Sequence, residues 1–512
     1  MTGYNESDLE EIVSTEDQLN AGQRQIYDQV MDAVNNPELG KKLFFIDGPG
    51  GTGKSTLLRN ILAKVRLDGK IAVAVASSGI ASLLLMGGRT AHSTFKIPLK
   101  LDANSVCSIY KQSHLRKFLQ RASLVIWDEA PMAHRHAFEA VDRTLRDIMS
   151  NDREPFGGKI FVLSGDFRQI LPVVKRGTPA ETIDACLKSS VLWHHFQQVH
   201  LTENMRVRSA DNSTSAEEMR SFSEFLLQVG EGRHEVNPIL GSQFIKLPND
   251  MILDIPPEEP NGNEEIHSDT TTKGMERLID YMYAEVGNPE IATDDYFASR
   301  TILTTTNAMV QRVNTAVAER LPDTAQEYLS VDSVQDDANG DFFEQEVLHS
   351  ININGIPPHR LILKKGIPIM MMRNLNPDLG LCNGTRLRIV DLKPHVIHAT
   401  MMSGERKGQH VFIPQIIFIS EDDNRDFPFR LRRKQFPVQP AFAMTINKAQ
   451  GQTVMNLGLY LASPCFSHGQ LYVALSRVTA RSKFKVLLEY PELEEEDGAY
   501  TSNIVYRQIF ES

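Results

Sequence analysis

Cysteine is scarce in this sequence of 512 residues, which contains only four. Cys107, Cys186, Cys382 and Cys465 stand far apart, and no two of them have the C-x-x-C spacing of a zinc ribbon or a redox motif. These numbers and spacings exclude a disulfide framework. They predict a protein of a reducing compartment.

Long hydrophobic runs are missing as well. Lys, Asp, Gly or Pro interrupts every apolar stretch before it reaches the roughly 18 residues that a membrane helix needs. Residues 1–16 are polar and acidic, a composition that fits neither a secretory signal nor an Arg-rich transit peptide. We therefore expect an intracellular protein that does not engage a membrane.

An excess of basic residues is also absent. The 54 Lys and Arg residues are outnumbered by 65 Asp and Glu residues, which gives a net charge of −11 and a pI of about 5.8. This excludes a histone-like protein that binds nucleic acid by charge alone, although it is compatible with a locally basic groove. With 41% apolar residues the chain can bury a large core, and its length predicts three or four folding units of about 150 residues.

What the sequence does contain, over its first 200 residues, is a regular alternation of strand-like and helical patterns. Four continuous apolar runs stand at 42–47 (KLFFID), 71–76 (IAVAVA), 124–127 (LVIW) and 160–163 (IFVL). Such runs are typical of strands buried on both faces, as in a parallel sheet. Apolar residues at helical spacing predict a helix over 55–67 between the first two runs. The alternation predicts a doubly wound α/β domain.

The later sequence is less regular. Residues 256–272 form an acidic, turn-rich stretch, and strand-like apolarity returns at 301–304 and 484–488. Between the last two, residues 367–437 contain the apolar segments IPIMMM, RLRIVDL and VFIPQIIFI, which indicate short strands separated by turns. The predicted domains are therefore a first α/β lobe at 1–205 with a short insertion near 96–120, a linker and the first part of a second lobe at 206–366, a β-rich insertion at 367–437, and the remainder of the second lobe at 438–512.

The most specific motif is GPGGTGKS at 48–55, which fits the phosphate-loop pattern G-x-x-x-x-G-K-[ST] between a predicted strand and a predicted helix. Glycines let backbone N–H groups curl around phosphate oxygens, and a lysine adds a full positive charge. A glycine turn that matches by chance is the alternative, and the strand–loop–helix context argues against it. The residues predicted to bind the phosphates of a nucleoside triphosphate are Gly48, Pro49, Gly50, Gly51, Thr52, Gly53, Lys54, Ser55 and Thr56, with Ser55 also a magnesium ligand.

Asp128 and Glu129 follow the third apolar run. An acid at the carboxyl end of a neighbouring parallel strand can reach the magnesium ion, and the next acid can polarise a water molecule. The pair therefore indicates hydrolysis rather than transfer to a substrate hydroxyl. The alternative is that the two acids merely cap the next helix.

Three further polar residues stand where a nucleotide hydrolase with two lobes would need them. Gln169, in the segment GDFRQ after the fourth run, can contact the γ-phosphate or the attacking water. Arg206 and Arg477 end LTENMR and QLYVALSR, and the planar guanidinium suits phosphate oxygens. A solvated side chain is the alternative for Gln169, and a surface ion pair is the alternative for each arginine.

These segments occur in a fixed order: GPGGTGKS at 48–55, VIWDEAPM at 125–132, PFGGK and SGDFRQILPV within 155–173, LTENMRV at 201–207, MTINKAQGQT at 444–453 and YVALSR at 472–477. Together they resemble the superfamily-one DNA helicases of the Pif (petite integration frequency) type, from about Leu19 to the C-terminus. WDEAPM, NMRV, TINKAQGQT and the late segment TSNIVY resemble the branch encoded by Helitron rolling-circle transposons.

The resemblance implies a fold of two RecA-like parallel-sheet P-loop lobes with a small inserted SH3-like β subdomain, and it implies ATP and Mg²⁺ as cofactors. It makes Gln23 the residue that reads adenine, places Gln452 near the nucleotide, and makes Arg477 a finger contributed by the second lobe. The residues that it assigns to DNA are Ser77, Ser78, Gly79, Thr90, His92, Phe95, Thr445 and Lys448. His92 and Phe95 are candidates for stacking on bases, and a core position is the alternative for Phe95.

One further cluster is the densest group of basic residues in the sequence. It consists of Arg425, Arg430, Arg432, Arg433 and Lys434. The cluster could track a DNA backbone, and a solvated loop or a fragment of a nuclear-localisation signal is the alternative.

The implied activity is that of an ATP-dependent DNA helicase. Such a protein moves 5′ to 3′ on single-stranded DNA and unwinds duplex DNA, in repair, recombination, telomere maintenance or rolling-circle transposition. We expect a nuclear, monomeric motor whose only small-molecule substrate is ATP. The replication-initiator nuclease of a full Helitron protein is absent, which fits a fragment, a domesticated copy or a solo helicase. Two alternatives stand beside this hypothesis, a DNA-stimulated ATPase that remodels protein–DNA complexes without separating strands, and a catalytically silent transposon remnant.

Overall fold

The computed structural model describes residues 4–38, 40–208, 213–253, 272–335, 344–404, 406–420, 429–490, 494–495 and 498–511. The chain forms two compact units. The first comprises Met1–Ile245, Cys465–Ser476 and Thr501–Ser512, and the second comprises Lys246–Pro464 and Arg477–Tyr500. The acidic stretch predicted at 256–272 lies outside the described residues except for its last residue.

The helices are α1 Glu6–Ser14, α2 Ala21–Asn35, α3 Lys54–Leu67, α4 Gly79–Leu83, α5 Ala91–Phe95, α6 His114–Arg121, α7 Arg135–Met149, α8 Pro179–Ala185, α9 Met205–Arg208, α10 Ser213–Glu231, α11 Lys273–Tyr283, α12 Asp294–Ala298, α13 Asn307–Glu319, α14 Gln345–Ser350, α15 Gln470–Leu475 and α16 Gln508–Glu511.

The strands are β1 Leu43–Asp47, β2 Ile71–Ala76, β3 Arg89–Thr90, β4 Ala122–Asp128, β5 Ile160–Gly165, β6 Gln197–His200, β7 Phe244–Lys246, β8 Arg300–Thr304, β9 Gln326–Leu329, β10 Val331–Val334, β11 Arg360–Leu363, β12 Pro368–Met371, β13 Arg386–Leu392, β14 Val396–Met401, β15 His410–Pro414, β16 Ile416–Ile419, β17 Leu431–Gln435, β18 Val438–Pro440, β19 Ala443–Thr445, β20 Asn456–Leu461, β21 Phe484–Leu488, β22 Glu494–Glu495 and β23 Gly498–Ser502.

A six-stranded parallel sheet forms the centre of the first unit, in the order β3-β2-β4-β5-β1-β6. Its four long strands are the four predicted apolar runs. One buried hydrophobic cluster lies on each face, which explains why these runs are continuous rather than alternating. Since β4, β5 and β1 are neighbours, their carboxyl ends meet at one edge of the sheet. The predicted α/β fold is confirmed.

Helix α3 shows how the local sequence sets this architecture. Leu57, Leu58, Ile61, Leu62 and Val65 recur at helical spacing and are all essentially inaccessible to solvent. They pack into the cluster that α2 also joins. Burying each such side chain contributes roughly 1.5–3 kcal/mol. The helix is thereby held against the sheet, and its N-terminus lies at the strand edge described above.

A second parallel sheet forms the centre of the second unit, in the order β19-β8-β20-β21. With α11 and α13 it makes a second RecA-like lobe, as predicted. The β-rich part contains a five-stranded antiparallel sheet, β15-β14-β13-β12-β18, and a three-stranded one, β10-β17-β16. The two parallel lobes and the additional β domain agree with the predicted fold class.

Two predicted boundaries differ from the structure. The β-rich part begins at β9 and β10 rather than at residue 367, because β10 pairs with β17 across about one hundred intervening residues. The first unit extends to Ile245 instead of ending at 205, and it regains residues 465–476 and 501–512. Ile509, for example, lies in the core of the first unit. The predicted block 438–512 is therefore divided between the two units.

Among the described residues, no helix combines the length and the apolar composition required to cross a bilayer.

Candidate active site

The glycine-rich loop 48–53 connects β1 to α3 at the strand edge of the first unit. Gly53 is the N-cap residue of α3 and has φ +77°, a left-handed conformation that favours glycine. A Cβ atom at this position would also collide with the side-chain amide of Gln23. The amide of Gly48 donates to the carbonyl of Gly165 at 3.3 Å, which joins the loop to the end of β5. The conformation of Gly53 and the closeness of Gln23 both favour glycine at this position, as expected for a loop whose amides bind phosphate.

Lys54 and Ser55 begin helix α3. The Lys54 ammonium group donates to the loop carbonyls of Gly48 and Pro49, the latter at 3.2 Å. It therefore lies over the same loop whose amides would surround a phosphate. Ser55 is half-buried beside it, and Thr56 is exposed. The predicted phosphate-binding residues thus lie together in the glycine-rich loop and the first turn of α3.

Gln23 is buried and forms hydrogen bonds through both ends of its side-chain amide. Its Oε1 accepts from the Asn20 amide at 2.9 Å, which with the reciprocal bond at 2.8 Å completes a capping box at the start of α2. Its Nε2 donates to the carbonyl of Thr52 at 2.9 Å. Gln23 therefore anchors the glycine-rich loop to α2, a role that the sequence did not predict. Its predicted contact with adenine stays a prediction.

Asp128 and Glu129 lie at the carboxyl end of β4. Asp128 is buried, and its Oδ1 accepts from the Glu129 amide at 2.9 Å. Burial raises the pKa of Asp128, while the Glu129 amide and the positive charge of Lys54 oppose that rise. Because β4 pairs with β5 and β5 pairs with β1, the acidic pair lies at the same edge of the sheet as the glycine-rich loop.

Glu129 has φ +52°, which costs a residue with a side chain roughly 1–3 kcal/mol. It occupies the N-cap position of the short 3-10 helix Ala130–Met132, yet its side chain makes no capping hydrogen bond. The capping alternative is therefore wrong for this residue. Strained backbone conformations of this kind cluster at active sites.

The segment after β5 carries Gln169, whose side chain is 5% exposed. Its Oε1 has no hydrogen-bond partner among the described residues. An unpaired buried acceptor is uncommon, and the solvated alternative for this residue is wrong. Two residues of the same segment, Asp166 and Arg168, form an ion pair at 3.0 Å, and Arg168 pairs with Glu231 at 2.7 Å. The sequence pattern did not predict this network.

The segment 201–206 packs directly against the glycine-rich loop. The amide of Met205 donates to the carbonyl of Gly51 at 2.9 Å, and the Arg206 side chain passes close to Gly51. Burial lowers the pKa of Arg206, which is half-buried. The sulfur of Met205 also accepts from the Asn20 side chain at 3.1 Å. Arg206 is thus brought to the predicted site, with Met205 as a loop contact that no polar pattern in the sequence could indicate.

The second unit brings its own predicted residues together. Arg477 is 7% exposed, and it donates to the carbonyl of Gln452 at 3.0 Å. Gln452 in turn donates from its side chain to the carbonyl of Lys448 at 3.2 Å. Burial lowers the pKa of Lys448, and Thr445 ends β19 just before it. The alternative of a surface ion pair is wrong for Arg477, because the side chain is buried.

The residues assigned to DNA in the first unit follow β2 and β3. Ser77 accepts from the indole N–H of Trp127 at 3.0 Å. Ser78 caps α4 and Thr90 caps α5, each through its hydroxyl group, while Gly79 is the first residue of α4. His92 is half-buried, and burial lowers its pKa. These residues lie at one end of β2 and β3, and their contact with DNA stays a prediction.

Phe95 corrects the sequence-based assignment. It is 1% exposed, belongs to the hydrophobic core of the first unit, and stacks on Trp127 with ring centroids 5.9 Å apart. A base cannot reach it. The prediction that Phe95 stacks on DNA is wrong, and the core alternative is confirmed.

The predicted basic cluster is also divided by the structure. Strand β17 alternates, so that Arg432 and Lys434 are exposed while Arg433 is fully buried. Arg433 forms a bidentate ion pair with buried Asp332, at 2.9 and 2.7 Å, and is therefore a core residue. Arg425 lies outside the described residues.

His349 and His359 come close to the same aspartate, and the three residues form a group that could in principle hold a metal ion. Their imidazole rings stack at 3.7 Å and 11°, so their nitrogen lone pairs do not converge on one point. Arg433 also already neutralises Asp332. The group is best described as a polar network around the buried Asp332.

Fold and site together define a class. A parallel sheet leads through a glycine-rich loop into a helix, beside a strand that ends in Asp-Glu and another that ends in Gly-Asp-x-x-Gln. This is the arrangement of a P-loop NTPase, and the second parallel lobe makes it a two-lobed one.

Comparison with known proteins relates the chain to one family within that class. The model of the PIF1-like helicase family matches residues 18–238, and the model of the DNA helicase Pif1 2B domain matches residues 346–392. Together they cover just over half of the chain. The chain is similar to the PIF1-like helicase family over the first of these segments and to the Pif1 2B domain over the second. Nothing in these matches addresses the Helitron branch.

Individual relatives agree with this similarity. The chain is 28% identical over 462 residues to the ATP-dependent DNA helicase PIF1 of Danio rerio, which covers 89% of this chain and 60% of the relative. It is 26% identical over 441 residues to Pif1 of Bdellovibrio bacteriovorus, covering 85% and 81%. The chain thus spans about three fifths of the vertebrate relative.

A solved structure supports the fold. The structure of Bacteroides Pif1 bound to single-stranded DNA superposes with a TM-score of 0.60, at 21% identity, over 94% of this chain and 99% of that one. At this level of identity the likeness establishes the fold alone.

Proposed function

We propose that this chain is an ATP-dependent DNA helicase, which hydrolyses ATP to move along single-stranded DNA and to separate duplex strands. One observation carries the proposal. The glycine-rich loop with Lys54, the Asp128–Glu129 pair and Gln169 meet at the carboxyl ends of three adjacent strands, within a fold shared with a Pif1 helicase. This is the edge at which open parallel sheets bind ligands.

The residues of the site divide the chemistry of ATP hydrolysis among them. The loop amides and the Lys54 ammonium group bind the β- and γ-phosphates. Glu129 orients the attacking water and Gln169 contacts the γ-phosphate, so both act on the bond that breaks. Arg206, beside the loop, is placed to neutralise phosphate charge. For the second unit, we propose that Arg477 and Gln452 contact nucleotide.

Mg²⁺ is proposed as the metal of this site. The Ser55 hydroxyl and the Asp128 carboxylate offer the oxygen donors that Mg²⁺ prefers, and Ser55 lies in the first turn of the helix that follows the glycine-rich loop while Asp128 ends β4. These two residues would hold the ion, which would supply positive charge to the phosphate oxygens. We also propose that Gln23 contacts the adenine base.

DNA is proposed as the partner, because the relatives are named DNA helicases and the Bacteroides Pif1 structure was solved with single-stranded DNA. Ser77, Ser78, Gly79, Thr90 and His92 of the first unit are the proposed contacts. Thr445 and Lys448 are those of the second unit. Movement in the 5′ to 3′ direction is inferred from the family resemblance.

Several finer attributes complete the proposal. We infer a monomeric motor that acts in the nucleus, in DNA repair, recombination, telomere maintenance or rolling-circle transposition. The segments WDEAPM, NMRV, TINKAQGQT and TSNIVY support membership of the Helitron-encoded branch. Transposon termini flanking the gene would support that membership, and their absence from every genomic copy would contradict it.

The central experiment measures ATP turnover with and without single-stranded DNA, and strand displacement on duplexes with a 5′ tail, a 3′ tail or no tail. Lys54→Ala should reduce turnover by roughly 10²–10³-fold, because one preorganised positive group at the reacting phosphates is lost. Lys64→Ala is the matched control, since Lys64 lies on the same helix and pairs only at the surface with Asp68, at 3.0 Å.

The outcomes separate the hypotheses. DNA-stimulated turnover with displacement of 5′-tailed duplex supports the proposal. Turnover without displacement favours an ATPase that remodels protein–DNA complexes, and displacement from 3′ tails alone overturns the polarity. Equal turnover by the wild type and Lys54→Ala places the active site elsewhere.

A further inference from the structure

Asp166 is a carboxylate with no exposure to solvent, located between the end of β5 and Gln169. A buried carboxylate is costly unless its oxygens accept hydrogen bonds. Its Oδ1 accepts from the Arg168 amide at 3.1 Å and from the Arg168 guanidinium at 3.0 Å. Its Oδ2 accepts from the Tyr472 hydroxyl at 2.8 Å. Tyr472 thus donates a hydrogen bond to a carboxylate that cannot form hydrogen bonds with solvent.

Tyr472 lies on α15 and is itself buried. Burial and the charge of Asp166 raise its pKa well above the usual value, so the hydroxyl remains a donor. Helix α10 packs closely against the ring, since a Cβ atom at Gly230 would lie only 2.9 Å from the ring carbon Cδ2. The position of the Tyr472 ring beside Asp166 is therefore restricted by α10.

A second contact ties the same two segments together. His468 donates from Nε2 to the carbonyl of Phe167 at 2.9 Å, and its Nδ1 accepts from the Tyr506 amide at 2.9 Å. These two bonds define a neutral ring with one tautomer. Gly469, with φ +69°, brings the chain so close that a Cβ atom there would collide with the Arg168 carbonyl.

The contacts that hold Asp166 also determine the position of Gln169. Its amide donates to the carbonyl of Asp166 at 3.1 Å, so the position of Gln169 follows that of Asp166. Its side-chain oxygen is the buried acceptor without a partner among the described residues. A side chain that must meet a reacting phosphate within a few tenths of an ångström depends on such support.

We propose that Tyr472 is a positioning residue of the ATPase site, which holds Asp166 through its hydroxyl and thereby fixes Gln169 against the reacting phosphate. The inference rests on the proposed ATP hydrolysis. It adds a role for α15, whose last residue stands two positions before Arg477 in the sequence. In the segment YVALSR, the proposal thus gives Tyr472 a function in addition to that of Arg477.

The test is Tyr472→Phe, which removes one oxygen atom and keeps the ring. Because the Tyr472 hydroxyl also contacts the Gly50 backbone of the phosphate-binding loop, KM for ATP can change as well, and kcat is the quantity that reports on Gln169. We expect kcat for ATP to fall about tenfold. Tyr460→Phe is the matched control. Tyr460 is a buried tyrosine on β20 of the second unit, and its hydroxyl also donates to a carboxylate, that of Glu489, at 2.6 Å. It should leave kcat unchanged.

A purely structural role is distinguished by a double-mutant cycle. Because Tyr472 acts through Gln169, Tyr472→Phe should have no further effect on kcat in a Gln169→Ala background. Equal effects in both backgrounds, or an unchanged kcat for Tyr472→Phe alone, would overturn the inference. If Tyr472→Phe does not fold, Asp166→Asn serves in the same cycle with the same expectations. Absence of DNA-stimulated turnover in the wild type would instead count against the proposed function.

Discussion

The side-chain amide of Gln23 donates to the carbonyl of Thr52 at 2.9 Å, and its oxygen completes the capping box of α2. A single buried residue therefore couples the start of a helix to the glycine-rich loop. The loop is a flexible sequence by composition, and contacts of this kind preorganise it before a phosphate arrives. Preorganisation lowers the cost of binding, because fewer loop conformations are lost when the ligand binds.

Gln23→Glu tests this coupling. The carboxylate can still accept from the Asn20 amide, but it has no donor for the Thr52 carbonyl. We expect nucleotide affinity to fall roughly tenfold, the equivalent of one hydrogen bond of about 1.4 kcal/mol. Fluorescent-nucleotide titration measures it. Gln25→Glu, an exposed change on the same helix, is the control and should leave affinity unchanged. Equal affinities for Gln23→Glu and the wild type would contradict the coupling.

Arg433→Met tests the buried ion pair of the β-rich part. Both side chains of the Arg433–Asp332 pair are inaccessible to solvent, so removing one partner leaves an uncompensated charge. We expect the free energy of unfolding to fall by about 3–5 kcal/mol, measured by denaturant titration. Arg432→Ala, on the exposed face of the same strand, should change it by less than about 0.5 kcal/mol.

A second variant checks the cause of that loss. Adding Asp332→Asn to Arg433→Met removes both charges, so the double variant should be more stable than the sum of the two single losses predicts. Strict additivity would show that the two residues do not act as a pair.

His468 predicts an acid-dependent loss of stability. Burial lowers its pKa to about 4, with the Phe167 carbonyl and the charge of Asp166 opposing this shift. The unfolded chain binds the proton near pH 6.5, so the stabilisation is present above that pH and is lost as the pH falls towards 4. Between pH values above 6.5 and pH values below 4, protonation of His468 lowers the free energy of unfolding by on the order of 3 kcal/mol.

The measurement is the difference in unfolding free energy between the wild type and His468→Gln, taken from pH 7 to pH 4. Other groups titrate equally in both proteins, so the difference isolates His468. We expect the advantage of the wild type to shrink as the pH falls. A difference that stays constant across this range would contradict a neutral, buried histidine.

DNA affinity should depend steeply on salt, because phosphate contacts release counterions in spite of the net charge of −11. On single strands each phosphate contact contributes about 0.7 to the slope of log affinity against log salt concentration. Anisotropy titrations of a labelled oligonucleotide from low to high salt give that slope. As a control, nucleotide binding is measured over the same range of salt concentrations to check that the protein remains folded. Affinity independent of salt would mean that no basic groove exists.

Much of the first unit could be predicted from the sequence. The strands β1, β2, β4 and β5 are continuous apolar runs, and α3 is an apolar stripe at helical spacing, so each is encoded within a few neighbouring residues. The glycine-rich loop and the Asp128–Glu129 pair stand at the ends of such strands, where parallel pairing brings them to one edge. Local patterns suffice when the element and its chemistry are adjacent in the chain.

The boundaries and the supporting contacts could not be predicted in this way. The sequence of strand β10 shows only a weak strand pattern, and its partner β17 lies about one hundred residues later in the chain. Arg433 stands in a run of basic residues, yet the pleat of its strand turns it inward while Arg432 and Lys434 face water. The face of the sheet on which a charged side chain lies depends on the register of its strand, and that register is set by pairing with distant segments.

The sequence by itself determined that this protein contains a phosphate-binding loop with an acidic pair and a glutamine at neighbouring strand ends. Spacing along the chain and strand order dictate that convergence. Only the tertiary structure decided that Phe95 is core, that Gln23 anchors the loop and that Tyr472 supports Asp166. Each of these depends on which remote side chain fills the space beside it, and packing is a property of the folded chain rather than of any segment.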